Sequence, residues 1–330
     1  MGATSFGLRD LRFTFALPDG RSFQPGGNFD VLTVQGLAAE VVIENIVSDG
    51  ILPYSAAVMI QGLTPNHINA LTTVGKEYGF SAPTKAPFMS IAAGTLNGQY
   101  TTIYNGPLYR STFVGHQPDV GLQLLSRWAS MLQMVPITPT SFNGSVPAAE
   151  VLQAIANKIQ PPYGPLQIEN HGVTAVLSYP YFAGDARAQI QGVARAANCY
   201  VAVRGTNIIS IYPSPDGALQ QPKSKSIPII SAATGLIGYP EFDGLYISVR
   251  TVFDPTALLE VGSLFQVQSQ LASGIPLQAA QGIWAARSIS YRLSCQIPQG
   301  PWEAVITGYP PDGLKGTPQY AGMLNWSALP

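Results

Sequence analysis

The residues of this chain whose types could support metal binding or acid–base chemistry are three histidines and a few carboxylates. His67, His116 and His171 lie far apart, and no pair of Cys or His residues has the two- to five-residue spacing of a zinc site. Gly75-Lys76 and Gly26-Gly27 lack the flanking residues of a phosphate-binding loop. Each histidine is therefore interpreted as a loop or surface residue.

Paired carboxylates need separate attention because glycoside cleavage requires only two acids and no sequence motif. Glu40 and Glu44 are an even number of residues apart, so on one strand they share a face. A solvated or interface-facing side of a strand is the favoured interpretation of this pair. Asp243 and Asp254 precede Gly244 and Pro255, which is typical of turns.

Two tryptophans and two cysteines complete the set of candidate residues. Trp284 and Trp302 are interpreted as packing inside or at the end of a barrel, and the alternative is a sugar-stacking or subunit contact. Cys199 and Cys295 are predicted to be buried, reduced thiols, because free cysteine is among the most buried residue types. We therefore predict no catalytic, cofactor-binding or metal-binding residues, and no enzyme activity.

The composition indicates a subunit of a large assembly. Only 11% of the 330 residues are charged, whereas 46% are hydrophobic and the mean hydropathy is +0.16. Ordinary soluble domains carry about 25% charged residues. The sequence contains no run of about 18 apolar residues, so no membrane helix is predicted. The net charge of −1 gives no basic footprint for nucleic acid. The first residues lack the apolar core of a signal peptide, so synthesis in a cytoplasm is expected.

Residues 234–308 alternate apolar and polar side chains with a period of two, which predicts half-buried strands of a closed barrel or sandwich. Residues 8–138 also read as mostly β, with a short helix that Thr64 caps and Pro65 opens. Asn105-Gly106 predicts a tight turn between strands at 100–104 and 108–114.

The middle of the chain changes to a helical period. Val151, Ile155 and Ile159 form one apolar stripe after Pro147, and a second helix is predicted from Asp185 to Ala197. A hairpin at 200–212 follows. The predicted divisions are a β-barrel domain at 1–138, a small α/β insert at 139–213, a linker at 214–227, a second β-barrel domain at 228–308 and an irregular docking tail at 309–330.

Three blocks in this order resemble one known family. They are AAVMIQGLTPNHINALTTV with YTTIYNGPLYRSTF, then VPAAEVLQAIANKI with AGDARAQIQGVARAANCYVAV, then TGLIGYPEFDGLYISVRTVFDP with ISYRLSCQIPQGPWEAVITGY. Together they look like the baseplate central hub proteins of contractile-tailed bacteriophages. The likeness spans nearly the whole chain and includes no catalytic motif.

The resemblance implies a mainly β fold with an α+β insert: two tube-like β-barrel domains and a small helix–helix–hairpin domain. It implies a homotrimeric ring that adapts a hexameric tail tube to a trimeric central spike in the virion and serves genome ejection. The implied partners are the tail tube protein, the central spike protein, baseplate wedge proteins and a tape-measure protein. Strand faces with Gln266, Gln268 and Gln270, or with Ser288 to Ser294, are then expected to face a lumen or neighbouring subunits.

Two alternatives stay open. One is a glycan-active or carbohydrate-binding tail protein that uses Trp284, Trp302 or tyrosines as stacking platforms. The other is the hub of a contractile injection or secretion system, which the sequence does not separate from a phage hub.

Overall fold

The structure of the chain is a computed structural model. It describes residues 8–17, 23, 30–46, 51–52, 54–78, 87–96, 98–116, 119–133, 135–159, 166–204, 208–213, 227–244, 246–259, 261, 263–270, 274–275 and 278–310. The predicted linker, apart from residue 227, and nearly all of the predicted docking tail lie outside these residues.

The strands are, in chain order, β1 (Arg9–Ala16), β2 (Val31–Val34), β3 (Ala39–Ile46), β4 (Ile51–Leu52), β5 (Tyr54–Gln61), β6 (Phe88–Thr95), β7 (Tyr100–His116), β8 (Asp119–Arg127), β9 (Thr140–Ser141), β10 (Ser145–Pro147), β11 (Gln167–Asn170), β12 (Val176–Ser178), β13 (Tyr181–Phe182), β14 (Cys199–Arg204), β15 (Ile208–Pro213), β16 (Ile229–Ser231), β17 (Glu241–Phe242), β18 (Ile247–Val252), β19 (Leu264–Gln268), β20 (Gly282–Cys295) and β21 (Trp302–Tyr309). The α-helices are α1 (Pro65–Tyr78), α2 (Trp128–Gln133), α3 (Ala148–Ala156) and α4 (Ala186–Ala196).

Most of the described strands belong to one sheet, and the predicted mainly β fold with an α+β insert is confirmed. The order along the sheet is β17-β18-β21-β20-β3-β5-β8-β7-β6-β1-β2, with β19 beside β20 and β16 beside β19. Only the β16–β19 pair in this sheet is parallel.

The N-terminal and C-terminal β units are joined by hydrogen bonds between β3 and β20. The register places Ala39 opposite Cys295 and Ile46 opposite Ser288. Two separate closed barrels were expected; the ladders of the described residues instead run as one sheet, and they close no ring of strands. Alternation of side chains identifies buried faces, but it carries no information about which distant strand supplies the partner edge.

The predicted turn at Asn105-Gly106 is wrong. Both residues lie inside β7, where they pair with Ser90 and Met89 of β6. Beyond this point β7 leaves β6 and continues along β8. A Cβ atom on Gly106 would lie 2.5 Å from the Tyr104 hydroxyl and 2.9 Å from the Ser126 hydroxyl, so the glycine is needed for close packing rather than for a turn.

The predicted helix signals are confirmed. The backbone N–H of His67 donates to Thr64 Oγ1 at 3.3 Å at the start of α1. Pro147 occupies the N-cap position of α3, and Asp185 caps α4 by accepting from the Ala188 N–H at 2.7 Å. The hairpin of β14 and β15 follows as predicted.

Several elements of the fold carried no assignment from the sequence. Strand β8 lies between β5 and β7 and buries Leu122 and Leu124. The alternation of these leucines with polar residues is a recognisable strand pattern. Helix α2 supplies the fully buried Trp128. Strands β9, β10, β12 and β13 are two or three residues long, and such short pairs have too few residues to show a period.

Two apolar clusters form the core. One runs through the N-terminal β unit and the insert, with Phe13, Trp128 and Val151, and extends to Leu293 and Trp302 of the C-terminal unit. The other fills the C-terminal unit around Phe265. Tyr291 packs against both clusters, so the two β units share packing as well as a sheet.

Candidate functional surfaces

The outward side of the sheet at the β3–β20 junction is a surface that both β units build together. Glu40, Val42 and Glu44 are exposed on β3, while the alternate residues are buried. The register sets Glu40 opposite Ser294 and Glu44 opposite Ser290. The two glutamates therefore share a face, as predicted.

We call this surface the seam face and define it by residues that the register places on one side of six strands. They are Arg250 and Val252 of β18, Glu303, Val305 and Thr307 of β21, Ser288, Ser290 and Arg292 of β20, Glu40, Val42 and Glu44 of β3, Ser55, Ala57 and Met59 of β5, and Gln123, Leu125 and Arg127 of β8.

The seam face is electrically balanced. It carries three arginines and three glutamates, so the formal charges cancel. Arg250 and Glu303 form an ion pair with N–O at 2.7 Å, and this hydrogen bond raises the pKa of the arginine. The remaining side chains are neutral: small, hydroxylated or aliphatic, with the amide of Gln123 and the thioether of Met59. The seam face is therefore a surface with no net formal charge.

The three histidines lie on separate elements. His67 is near the start of α1, with its ring edge-on to Phe23 at 6.3 Å, and His116 is the last residue of β7. His171 stacks on Tyr212 at 4.5 Å between ring centroids, and its Nε2 lies 3.7 Å from Glu169 Oε2. The Glu169–His171 contact was missed, although two residues at a spacing of two share a face of an extended chain.

In the described part of the chain, no three or more His, Cys, Asp or Glu side chains gather as metal ligands would. Asp243 and Asp254 act in turns as predicted, since each accepts a backbone N–H two or three residues later.

Both candidate tryptophans belong to the core. Trp284 is 6% exposed and donates its Nε1–H to the Ala280 carbonyl at 3.2 Å. Trp302 is 7% exposed and packs edge-on against Phe253 at 5.7 Å. The packing interpretation is confirmed, and their alternative role as sugar-stacking platforms is wrong because neither ring offers a free face.

A buried carboxylate organises one end of the sheet, and the sequence did not single it out. Asp10 of β1 has no exposed surface. It accepts the Gly36 N–H at 3.1 Å and the Tyr100 hydroxyl at 2.5 Å. Burial and this hydrogen bond raise the pKa of Tyr100 to about 12. The Arg12 guanidinium lies 3.7 Å from the centre of the Tyr100 ring. Asp10 thus ties β1 to β7 and to the turn before β3.

An apolar cavity of about 250 Å³ lies between the two β units. A second cavity of about 290 Å³ lies within the C-terminal unit, and the two share Leu258, Leu259, Ile289 and Tyr291 in their walls. The Tyr291 hydroxyl donates to the Leu259 carbonyl at 3.2 Å. Tyr54 and Tyr104 line the cavity between the units as well, with 4.6 Å between their ring centroids.

Both cysteines are free and buried, as predicted. Burial raises the pKa of each thiol to about 11, from an ordinary value of 9.0. Because the thiolate is the reacting species, we expect both to react with iodoacetamide at pH 8 about 100-fold more slowly than in the unfolded chain. Thiol counting by mass spectrometry, native and in denaturant, measures this. Rapid native labelling of either cysteine would contradict it.

No protein-family model and no curated protein sequence matches the chain. Its structure is similar to that of the 43 kDa tail protein of prophage MuSo2 from Shewanella oneidensis, with a TM-score of 0.55 and 10% identity over 91% of this chain and 98% of that one. It is also similar to a tail protein from Neisseria meningitidis MC58, with a TM-score of 0.57 and 8% identity over 92% and 99% of the two chains.

A third similar structure is the E. coli c3393 protein, described as a component of the type VI secretion system. The TM-score is 0.51 and the identity 9%, over 83% of this chain and 73% of that one. The chain therefore has the fold of phage tail proteins. No helix in the described ranges combines the length and apolarity needed to span a bilayer.

Proposed function

We propose that the chain is a structural hub subunit of a phage-type tail baseplate and acts without a substrate. The observation that carries this proposal is the β3–β20 ladder, which merges two β units of one chain into a single sheet. The likeness in fold to phage tail proteins supports a structural role in a tail.

In this proposal three subunits form a ring. Each subunit contributes two β units, so the ring presents six units to a hexameric tail tube on one side and keeps three-fold symmetry for a central spike on the other. Closed rings of this kind use heterologous interfaces. The low charge content suits the large, apolar interfaces of permanent assemblies. Wedge and tape-measure proteins are further proposed partners, and the site of action is the virion tail.

The division into functional parts follows the predicted boundaries. Residues 1–138 and 228–308 form the two ring-building, tube-like units, 139–213 the insert, 214–227 the linker and 309–330 a docking tail. We assign the seam face to the lumen or to a subunit boundary. Because the formal charges of the seam face sum to zero, we expect other molecules to pass along it without strong electrostatic binding.

The ring is tested by light scattering coupled to size exclusion. We expect a mass of about 105 kDa, three times the 35.0 kDa of one chain, and ring-shaped particles in negative-stain images. A stable 35.0 kDa monomer at micromolar concentration would count against the hub.

Mixing with the tail tube protein encoded by the same gene cluster checks the tube contact, and a failure to associate would contradict the adaptor role.

A hub of a secretion machine is the second candidate, and the likeness to the E. coli c3393 protein favours it. The two candidates share the ring. They differ in the tube protein that binds, so parallel pull-downs with a phage tube protein and a secretion tube protein distinguish them.

A further inference from the structure

One exposed surface of the insert is not explained by a ring-building role. Residues 140–147 and 176–182 run side by side as a two-stranded ribbon, through the β9–β13 and β10–β12 pairs. The inner side chains of the ribbon, such as Phe142 and Leu177, pack against the core. The outer side is exposed. We call it the ribbon face: Ser141, Asn143, Ser145, Pro147, Val176, Ser178, Tyr179 and Tyr181.

Two tyrosines dominate the ribbon face. Tyr179 is 75% exposed and Tyr181 is 67% exposed. Neither side chain makes a hydrogen bond or ring contact with the rest of the described chain. Exposed tyrosine rings offer a large contact area to a ligand. Binding costs little conformational entropy, because each side chain has only two torsions to fix.

The ribbon is held rigidly. The register shifts by one residue at Tyr179, between the Ser145–Ser178 and Ser141–Tyr181 pairs. The Tyr179 N–H donates to the Gly144 carbonyl at 2.7 Å, and the Phe142 N–H donates to the Pro180 carbonyl at 3.1 Å.

The insert also anchors the ribbon from below. Gln189 of α4 is fully buried; it accepts the Thr140 hydroxyl at 2.8 Å and donates to the Gly184 carbonyl at 2.9 Å. One side chain therefore ties the start of the first ribbon strand, and the turn that follows the second, to helix α4. Such support holds a binding surface in one geometry before a ligand arrives.

Tyr179 adopts a strained backbone conformation. Its φ is +47°, in the left-handed region that bulky residues rarely occupy. A glycine or asparagine would adopt it at lower cost. A tyrosine kept there by surrounding hydrogen bonds is a pattern that points to function.

The ribbon face has no ionisable side chain other than the tyrosine hydroxyls. Residues 134–149 and 172–184 include no Asp, Glu, Lys, Arg or His. Beside the tyrosines the face carries hydroxyl and amide groups from three serines and Asn143. The Lys158 ammonium beside the first ribbon strand already donates to the Pro139 carbonyl at 2.7 Å and to the hydroxyl of the buried Thr140 at 2.8 Å. On the outer face itself a charged ligand would lose hydration without a counter-charge in return. Aromatic rings and neutral hydrogen-bonding groups instead match the apolar C–H faces and hydroxyls of an uncharged sugar chain.

The size of the face suits a short glycan. Its eight exposed residues match a few sugar rings, whereas a standard protein interface uses about 20–30 residues on each side and would extend beyond this face. We propose that the ribbon face binds a neutral oligosaccharide, with Tyr179 and Tyr181 as stacking platforms. This binding role is separate from the ring and involves no bond cleavage.

The test uses the full chain and three neutral hexasaccharides as probes: chitohexaose, maltohexaose and mannohexaose. Binding is measured by calorimetry and by saturation-transfer NMR. We expect at least one probe to bind, and Tyr179→Ala or Tyr181→Ala to weaken its binding at least tenfold. Tyr239→Ala is the matched control, because Tyr239 is 54% exposed on the C-terminal unit. An anionic hyaluronan hexasaccharide should not bind.

Tyr179→Gly separates binding from folding. It relieves the left-handed strain, so its Tm should equal or exceed that of the parent chain while binding is lost. Failure of all three neutral probes to bind would overturn the proposal. Equal binding by the tyrosine variants, or equal binding of the anionic probe, would also overturn it. None of these results depends on whether the chain forms a ring.

Discussion

Asp10→Ala should lower the free energy of unfolding by about 3 kcal/mol, because it removes a fully buried carboxylate whose hydrogen bonds hold one end of the sheet together. The Gly36 N–H and the Tyr100 O–H both donate to this carboxylate, which has no exposed surface. Urea unfolding followed by tryptophan fluorescence measures the change.

The matched control is Asp254→Ala. Asp254 is exposed and accepts the Thr256 N–H at 2.8 Å and the Thr256 hydroxyl at 2.7 Å, so two donors lose their acceptor, as they do in Asp10→Ala. Solvent satisfies those donors, and the expected loss is about 1 kcal/mol or less. If the two variants lose equal stability, the burial of Asp10 is not the cause of its effect.

Phe265→Ala should destabilise the C-terminal unit by about 4 kcal/mol, and Gly308→Ala by about 2 kcal/mol, for opposite reasons. Phe265 is fully buried. Removing its ring leaves a cavity. A Cβ atom on Gly308 would lie 2.7 Å from that ring and 3.1 Å from Trp284 Cβ, so the added methyl group overpacks the same spot.

Combining the two substitutions tests this contact. In Phe265→Ala/Gly308→Ala the new methyl group occupies part of the vacated space, so the loss should be smaller than the sum of the single losses by about 1–2 kcal/mol. Pairing Phe265→Ala with Gly121→Ala is the control. Gly121 faces the flexible Met59 side chain in the N-terminal unit, and those effects should add within about 0.5 kcal/mol. Additivity of the Phe265–Gly308 pair would contradict the packing argument.

Candidate surfaces were recoverable from the sequence to different degrees. The shared face of Glu40 and Glu44 followed from their even spacing, since side chains of a strand alternate. The ribbon face did not follow. Its strands are too short to show a period, and the left-handed conformation of Tyr179 depends on the register shift between two segments about 35 residues apart.

The sequence by itself determined those features that depend on neighbours a few residues away. The caps at Thr64 and Asp185 are local hydrogen bonds, and the buried face of β3 follows from the alternation of residues 39–44. Only the tertiary structure decided which distant edges pair. β3 and β20 are more than 200 residues apart and either could have paired elsewhere. Asn105-Gly106 has the local preference of a turn, yet the ladders with β6 and β8 hold it straight. Hydrogen bonds across a sheet are non-local, and the many backbone bonds of two long ladders outweigh the preference of one dipeptide.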